Sequence, residues 1–182
     1  MLLYRVHPWI DGVDPSAPYG PLFIPPGQGA GRWDNPDLYA LRYFSTTPEG
    51  AIAETFGHLA TWSSGMLLVP SSDDAVRALS TYEISDSTRL ADLADPERLT
   101  ALGILRVTEV TERNKRRTQR QAARIYDQGT WDGIAWWSYY HPAVTLVATW
   151  LEEGIQCTQT RPLSIEAPEI TRASQLIVRT VR

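Results

Sequence analysis

The sequence predicts an α+β protein, a single domain over residues 1–182 with mixed, mostly antiparallel sheets and a few helices. Three observations favour this class. Segments with strand character outnumber helical ones, and the two do not alternate as they do in βαβ units. In addition, 182 residues with 43% hydrophobic content are enough for one proper core.

Strands are predicted from alternating or β-rich apolar segments. The predicted strands are Leu2–His7, Leu38–Ser45, Met66–Val69, Ser80–Ser85, Ile104–Val110, Gly133–Trp137 and Gln175–Val181. The segment AVTLVATW, which begins at Ala143, is apolar throughout and is compatible with either a strand or a helix.

Helices are predicted from their start and stop signals. Thr47 followed by Pro48 combines a capping hydroxyl with a proline at the first helical position, and Asp95 followed by Pro96 repeats this pattern. Glycines end the second and third helices. The three helices are expected to run from Thr47 to about Ala60, from Asp95 to Gly103, and from Asn114 to Gln128 before Gly129.

A long connection joins the first two predicted strands. Between residues 11 and 36 lie six of the 13 prolines and five of the 12 glycines. Connections of this length inside a compact domain are usually functional or disordered. Because this one contains Tyr19, Phe23, Ile24 and Trp33, we expect an ordered loop laid over a pocket.

Charge argues against a protein whose main partner is nucleic acid. The net charge is -4 and the isoelectric point is about 5.4. One basic cluster, between Arg113 and Arg124, is interpreted first as a solvated helix face. Contacts to phosphate or to a protein partner remain alternatives for it, and no direct binding of nucleic acid is expected.

A cytoplasmic location is the default expectation. No apolar run approaches the roughly eighteen residues that a membrane span needs, and the N-terminal residues MLLYRVHPW resemble a strand rather than a signal peptide. The single cysteine, Cys157, has no partner in the chain and belongs to no metal motif.

Common catalytic and cofactor motifs are absent from the sequence. There is no GxSxG, HExxH, CxxC or GxGxxG pattern. Glu54 and His58 lie one helical turn apart, but no third metal ligand is evident. Ser138 and His141, three residues apart in an irregular segment, do not have the spacing of a positioned nucleophile and base. We therefore expect no metal and no bound cofactor.

Four residues remain as candidates for chemistry, and each has a purely structural alternative. Arg32 lies in a glycine-rich loop where backbone N–H groups suit an anion, but a surface ion pair is the simpler interpretation. Tyr43 suits half-buried packing equally well. Ser138 ends an aromatic strand that either fills the core or borders a cleft.

Glu54 has the same ambiguity. On a helical wheel it lies away from the apolar stripe formed by Ile52, Phe56 and Leu59. It therefore either faces solvent or lines a cleft on a second face of the helix.

An ordered series of short motifs resembles the RES domain family, the toxins of RES–Xre toxin–antitoxin pairs. The motifs are Tyr4-Arg5-Val6, Gly31-Arg32-Trp33-Asp34, Arg42-Tyr43-Phe44-Ser45, Ala51-Ile52-Ala53-Glu54, Thr118-Gln119 and Asp132-Gly133-Ile134 with Ser138. Arg42 departs from the pattern, since an apolar residue is usual before the tyrosine. Each motif is weak alone, but together they span most of the chain in the family's order.

The resemblance implies an ADP-ribosyltransferase-like fold and an enzyme that consumes NAD as its substrate. Arg32, Glu54 and Ser138 would be the catalytic residues, and Gly31, Trp33 and Tyr43 would bind the substrate. An Xre-type helix-turn-helix antitoxin is the implied partner. Hydrolysis or phosphorolysis of NAD is the preferred activity, with mono-ADP-ribosylation of a protein or a non-catalytic nucleotide-binding module as alternatives.

Overall fold

The structure is a computed structural model that describes residues 1–104, 106–110 and 114–182. Its strands are β1 (Leu2–Trp9), β2 (Arg42–Ser45), β3 (Thr61–Trp62), β4 (Val76–Glu83), β5 (Leu90–Asp92), β6 (Gly133–Trp137), β7 (Thr145–Thr149), β8 (Gln156–Pro162) and β9 (Thr180–Val181). Its α-helices are α1 (Pro48–Phe56), α2 (Pro96–Ala101), α3 (Lys115–Asp127) and α4 (Pro168–Leu176). Short 3₁₀ helices span Ser64–Leu67 and Val107–Glu109.

Seven strands form one sheet in the order β5-β6-β7-β2-β1-β4-β8. All neighbours in this sheet are antiparallel except β5 and β6. Strands β3 and β9 form a separate parallel pair. The predicted α+β class with mostly antiparallel pairing is therefore confirmed.

The helices α1, α3 and α4 share one face of the large sheet. Successive residues of a strand point to opposite faces, and Tyr4, Tyr43 and Leu146 lie on the same one. On this face, α1 and α4 pack over β1, while α3 and the end of the long loop pack over β6 and β7. A cleft remains between these two groups of elements.

Helix α1 begins where predicted and ends earlier. Thr47 accepts a hydrogen bond from the backbone N–H of Gly50 at 3.1 Å, and Pro48 takes the first helical position. The helix stops at Phe56 because other groups bind the terminal carbonyls. The Trp62 indole donates to the Phe56 carbonyl at 3.1 Å, and the Arg179 guanidinium donates to the Gly57 carbonyl at 2.7 Å.

Several other predicted elements are close to the observed ones. Strands β1 and β6, and the starts of α2 and α3, lie where the sequence places them. The predicted strand Ser80–Ser85 is the later part of β4, and AVTLVATW contains β7. The observed strand β2 is shorter than the predicted strand Leu38–Ser45. The N–H groups of Leu38 and Tyr39 donate to the Asn35 carbonyl at 2.8 and 3.0 Å, so this part of the chain forms a turn.

Two strand predictions are wrong for the described residues, and a third is correct only at its end. The 3₁₀ helix Ser64–Leu67 lies where Met66–Val69 was expected, because Met66 and Leu67 pack against α1 and α4 through a helical turn. Within Ile104–Val110, residue 105 lies outside the described residues and Val107–Glu109 is again 3₁₀. The region Gln175–Val181 begins as the end of α4, where Ile170 and Ala173 bury a face at helical spacing, and its last two residues form β9.

Among the described residues, no helix is long and apolar enough to cross a membrane.

Candidate active site

Helix α1 carries Glu54 to the edge of the cleft. Its buried residues occupy more than one side, since Ala51, Ile52, Ala53 and Phe56 all pack into the core. Gly50 has no room for a side chain, because a Cβ there would meet the Ser45 hydroxyl at 2.2 Å. This close packing leaves the Glu54 side as the exposed one, and it faces the cleft rather than bulk solvent alone.

Ser138 fixes the Glu54 carboxylate. It follows β6 directly, and its backbone N–H donates to the Val144 carbonyl at 2.8 Å. Its hydroxyl donates to Oε1 of Glu54 and accepts from the backbone N–H of Tyr140 at 3.0 Å. With 2% of its surface exposed and no share in the cleft wall, Ser138 contacts Glu54 from behind the cleft.

The hydrogen bond from Ser138 and the burial of Glu54 shift the pKa of the Glu54 carboxyl in opposite directions, and burial has the larger effect. Partial burial raises the pKa of the Glu54 carboxyl, while the Ser138 hydroxyl and the Arg32 charge lower it again. Among the described residues, Oε2 of Glu54 has no hydrogen-bond donor, so one carboxylate oxygen is fixed and the other is available to a ligand.

The loop sequence GRWD is fastened to β2 through Tyr43. The Tyr43 hydroxyl donates to Oδ1 of Asp34 at 2.7 Å and accepts from the backbone N–H of Trp33 at 3.0 Å. The Gly31 N–H donates to Oδ2 of the same carboxylate at 2.6 Å. A Cβ at Gly31 would lie 2.5 Å from both Asp34 and Tyr43, which explains the glycine.

Arg32 is directed into the cleft by contacts at both of its ends. Its carbonyl accepts from the Thr118 hydroxyl of α3 at 2.6 Å, and its guanidinium donates to the Val110 carbonyl at 2.9 Å. Desolvation lowers the pKa of this guanidinium, and the negative charge of Glu54 partly offsets the effect. The group stays protonated at physiological pH, since its ordinary pKa is above 12.

Trp33 does not reach the cleft. It is fully buried, and its ring meets the edge of Trp136 at 5.5 Å between centroids. The residues that line the cleft do not include it. Trp33 and Gly31 hold the loop so that Arg32 and Tyr43 are placed, and their contact with a substrate stays a prediction.

The cleft consists of two adjoining cavities of about 180 Å³ each. Both are lined by Tyr43, Glu54, Trp136 and Leu146. The first, here named the Arg32 lobe, is completed by Arg32, Trp137 and Tyr139. The second, here named the Arg5 lobe, extends between β1 and β2 and includes Tyr4, Arg5, Val6 and Phe44.

The Arg5 lobe exists because β1 and β2 separate. They are joined by one ladder pair, Tyr4 with Ser45, whereas β1 pairs along its whole length with β4. Beyond that pair, the facing edges of the two strands are not joined to each other. Such an opening inside a sheet exposes backbone donors and acceptors to a ligand.

Arg5 is a site residue that sequence reasoning missed. Its guanidinium makes one long hydrogen bond, 3.4 Å to the Phe23 carbonyl, and no ion pair with a carboxylate of the described residues. Desolvation lowers the pKa of Arg5, and the positive charge of Arg42 lies nearby. A signal was available, because an arginine between apolar residues of a predicted strand needs a partner for its charge when the strand is buried.

A larger cavity of about 300 Å³ beside α3 is less suited to chemistry. Its carboxylate, Glu109, pairs with Arg117 at 3.1 Å and accepts from the Gln121 amide at 3.0 Å. Arg117, Arg120 and Arg124 of α3 line this cavity, and none of them lines the cleft between α1 and α3.

A fixed carboxylate, a tyrosine ring and the Arg32 guanidinium share one cleft, and groups of this kind can bind an anion and oppose positive charge beside it. The RES domain family matches residues 2–165, and the chain belongs to this family.

A solved structure with the same fold is the M. tuberculosis MbcT–MbcA toxin–antitoxin complex. A chain of that complex superposes with a TM-score of 0.61 at 18% sequence identity, covering 97% of this chain and 88% of that chain. No match was found among curated proteins.

Proposed function

We propose that this protein is the toxin of a toxin–antitoxin pair and that it cleaves NAD at the bond between nicotinamide and ribose. The observation that carries the proposal is the Glu54 carboxylate, which a buried serine holds in a cleft beside the Arg32 guanidinium. Membership of the RES domain family and the likeness to a chain of a toxin–antitoxin complex support the toxin role.

The reaction suits a site without a general acid. The bond between the ribose C1′ and the ring nitrogen breaks, and its electron pair goes to nicotinamide, which was cationic in NAD and leaves as a neutral molecule. Positive charge develops on the ribose, as in other oxocarbenium-like transition states. An acceptor then bonds to C1′ and loses its proton to solvent. Water, phosphate and a protein side chain are the three possible acceptors.

The cleft residues have complementary roles in this reaction. Oε2 of Glu54 would accept from a ribose hydroxyl and oppose the developing positive charge. The Tyr43 ring would stack on the cationic nicotinamide, and its hydroxyl, held by Asp34, keeps the ring in place. Arg32 would bind the pyrophosphate or the ribose.

The test is mass spectrometry of the purified protein incubated with NAD, with and without phosphate. Nicotinamide must appear in every case, and the second product identifies the acceptor as ADP-ribose, phosphorylated ADP-ribose or a modified polypeptide. If no nicotinamide forms under any of these conditions, the proposed reaction is wrong.

The toxin role has its own experiment. Expression without an antitoxin is expected to arrest growth and lower cellular NAD, and co-expression of an Xre-type helix-turn-helix partner is expected to restore both. Such a partner would act by covering the cleft, whose rim residue Tyr139 is 62% exposed. Normal growth with unchanged NAD at confirmed expression contradicts the toxin role.

A further inference from the structure

Helix α3 holds the backbone of Arg32 in place. The Thr118 hydroxyl donates to the Arg32 carbonyl at 2.6 Å. The next residue, Gln119, donates through its amide to the carbonyls of Gly29 and Gly31, at 3.0 and 2.9 Å. These bonds fasten the glycine-rich loop to the first turns of α3, so the position of the Arg32 backbone is set there.

The guanidinium of Arg32 is held by a different element. It donates to the Val110 carbonyl at 2.9 Å, and Val110 directly follows the 3₁₀ helix Val107–Glu109. The Val110 side chain is fully buried, and its backbone N–H donates to the Val107 carbonyl at 3.1 Å. Burial fixes where Val110 lies, but the direction of its carbonyl depends on how the short helix is attached to its surroundings.

Glu109 attaches this short helix to α3. Its Oε1 lies 3.1 Å from Nη2 of Arg117, and its Oε2 accepts from the Gln121 amide at 3.0 Å. Both carboxylate oxygens therefore have a partner, and the Glu109 side chain is only 12% exposed. Because Arg117 and Gln121 lie one turn apart on the same helix, a rigid element holds this carboxylate at two points.

These contacts form a continuous path from α3 to the cleft. Glu109 and Val110 are neighbours in the chain, so a shift of Glu109 moves the Val110 carbonyl as well. A guanidinium is a planar fork, and its hydrogen bonds to an anion depend on the orientation of that plane. Glu109 lines the cavity beside α3, whereas Arg32 lines the cleft. Any effect of Glu109 on a substrate therefore passes through Arg32.

We propose that Glu109 is a positioning residue for Arg32. Its bonds to α3 hold the Val110 carbonyl, and this carbonyl orients the Arg32 guanidinium in the cleft. The inference rests on the proposed NAD cleavage, in which Arg32 binds the pyrophosphate or the ribose. It also gives Arg117, in the basic cluster of α3, a task inside the protein.

The first test follows the Arg32 side chain by NMR and needs no turnover. The Nε–Hε signal of Arg32 is assigned by its loss in Arg32→Lys, and its order parameter reports how firmly the guanidinium is held. Glu109→Ala is expected to lower this order parameter. Glu109→Gln should lower it less, because glutamine can still bond to Gln121 but loses the ion pair with Arg117. An unchanged order parameter in both variants overturns the proposal.

Glu169→Ala is the matched control. Glu169 is a partly buried carboxylate that pairs with Arg161 at 2.9 Å and lies 3.7 Å from Arg172, so its removal also breaks an ion pair with arginine. It lies at the start of α4, and neither it nor these two arginines line the cleft. The order parameter of Arg32 should not change in this variant. A fall as large as that in Glu109→Ala would show a general loss of rigidity and would overturn the proposal.

The second test is a double-mutant cycle on nicotinamide release. In the wild-type background, Glu109→Ala should raise the KM for NAD roughly threefold with kcat unchanged, because a mobile guanidinium must be ordered when the substrate binds. In the Arg32→Met background the same substitution should change nothing, since no guanidinium remains to be oriented. An equal loss in both backgrounds would mean that Glu109 acts on the fold alone, and the proposal would be wrong.

The two tests separate this inference from the proposed reaction. If the order parameter of Arg32 falls in Glu109→Ala but the wild-type protein releases no nicotinamide, the reaction fails while the positioning role stands. If the wild-type protein releases nicotinamide and Glu109→Ala has the same KM, the positioning role fails while the reaction stands. Should Glu109→Ala not fold, Glu109→Gln decides both tests, with the same expected direction.

Discussion

The two sides of the cleft are built in opposite ways. On the side of the GRWD loop, polar groups are paired closely, since the Asp34 carboxylate takes one bond from Gly31 and another from Tyr43. On the side of β1, the strands separate after one ladder pair, and Arg5 makes a single long hydrogen bond. On the loop side the polar groups bind one another, whereas on the β1 side Arg5 has donors without a partner among the described residues.

This difference suggests that the two sides have different tasks, one to position side chains and the other to contact a ligand. The loop side places Tyr43 and Arg32 during folding, so these groups need no rearrangement when a ligand arrives. The β1 side holds Arg5, which makes one long hydrogen bond among the described residues, and strand edges that are not joined to each other. A cleft of this kind should respond differently to changes on its two sides.

Glu54→Gln should have the largest effect on function, because Glu54 lies where the two sides meet. Loss of one electrostatic stabiliser is expected to slow nicotinamide release roughly 10²–10³-fold, about 3–4 kcal/mol, with NAD affinity largely kept. Release of nicotinamide at the wild-type rate would remove Glu54 from the mechanism.

The stability of Glu54→Gln provides a control in the same variant. Because the folded state raises the pKa of this carboxyl, its ionisation lowers folding stability above the ordinary pKa of a glutamate. At pH 7 the uncharged glutamine should therefore leave stability unchanged or slightly higher, within about 0.5 kcal/mol. A clear fall in melting temperature would mean that the carboxylate is structural.

Tyr43→Phe breaks the closely paired side. The ring remains, but the Asp34 carboxylate loses a donor and the Trp33 N–H loses its acceptor. Stranded buried groups of this kind cost about 1–3 kcal/mol of unfolding free energy, measurable by urea denaturation. Tyr126→Phe is the control, since its ring packs in the same cluster and its hydroxyl makes no hydrogen bond among the described residues. Equal stability of the two variants would contradict the conclusion that the Tyr43 hydroxyl holds the GRWD loop in place.

Arg32→Lys sharpens the comparison between charge and geometry. Lysine keeps the charge but loses the planar fork, so NAD should bind roughly tenfold more weakly, about 1.4 kcal/mol, with the fold intact. Calorimetry measures this, with the exposed Arg116→Lys on α3 as control. Equal affinity of wild type and Arg32→Lys would remove Arg32 from the binding site.

Of these variants, Ser138→Ala should have the smallest effect on activity, and that effect should be weakest at high pH. Removing the hydroxyl removes an influence that lowers the pKa of Glu54, so that pKa should rise further. The acid limb of the rate profile should then move to higher pH, with a greater loss of activity in acid than in base. The exposed Ser87→Ala is the control. A uniform loss at all pH values would assign Ser138 a role other than tuning Glu54.

The sequence predicted which residues lie near the cleft better than it predicted the direction of their side chains. Arg32, Tyr43 and Glu54 do line one cleft, and Ser138 lies behind them. Trp33 belongs to the same motif and is buried, because a motif records order along the chain and not the direction of each side chain. Arg5 was passed over, since alternation marks a strand but does not show where two strands separate.

For the fold, too, local features were predictable from the sequence and long-range features were not. Caps placed α1 and α2, because Thr47 and Asp95 act locally on the next few backbone groups. Strand β8 was missed, since its residues are mostly polar or exposed and its place in the sheet depends on β4, about 75 residues earlier in the chain. Pairing across such a distance leaves little trace in a local pattern.

The hydrogen bond between Ser138 and Glu54 has a consequence for entropy. A free glutamate loses about 1.5–2 kcal/mol of rotamer freedom when it is immobilised. Here that loss occurs once, when the chain folds and the buried hydroxyl takes hold of Oε1. Each later arrival of a substrate meets a carboxylate that is already ordered, so the cost of immobilising it does not recur with every turnover.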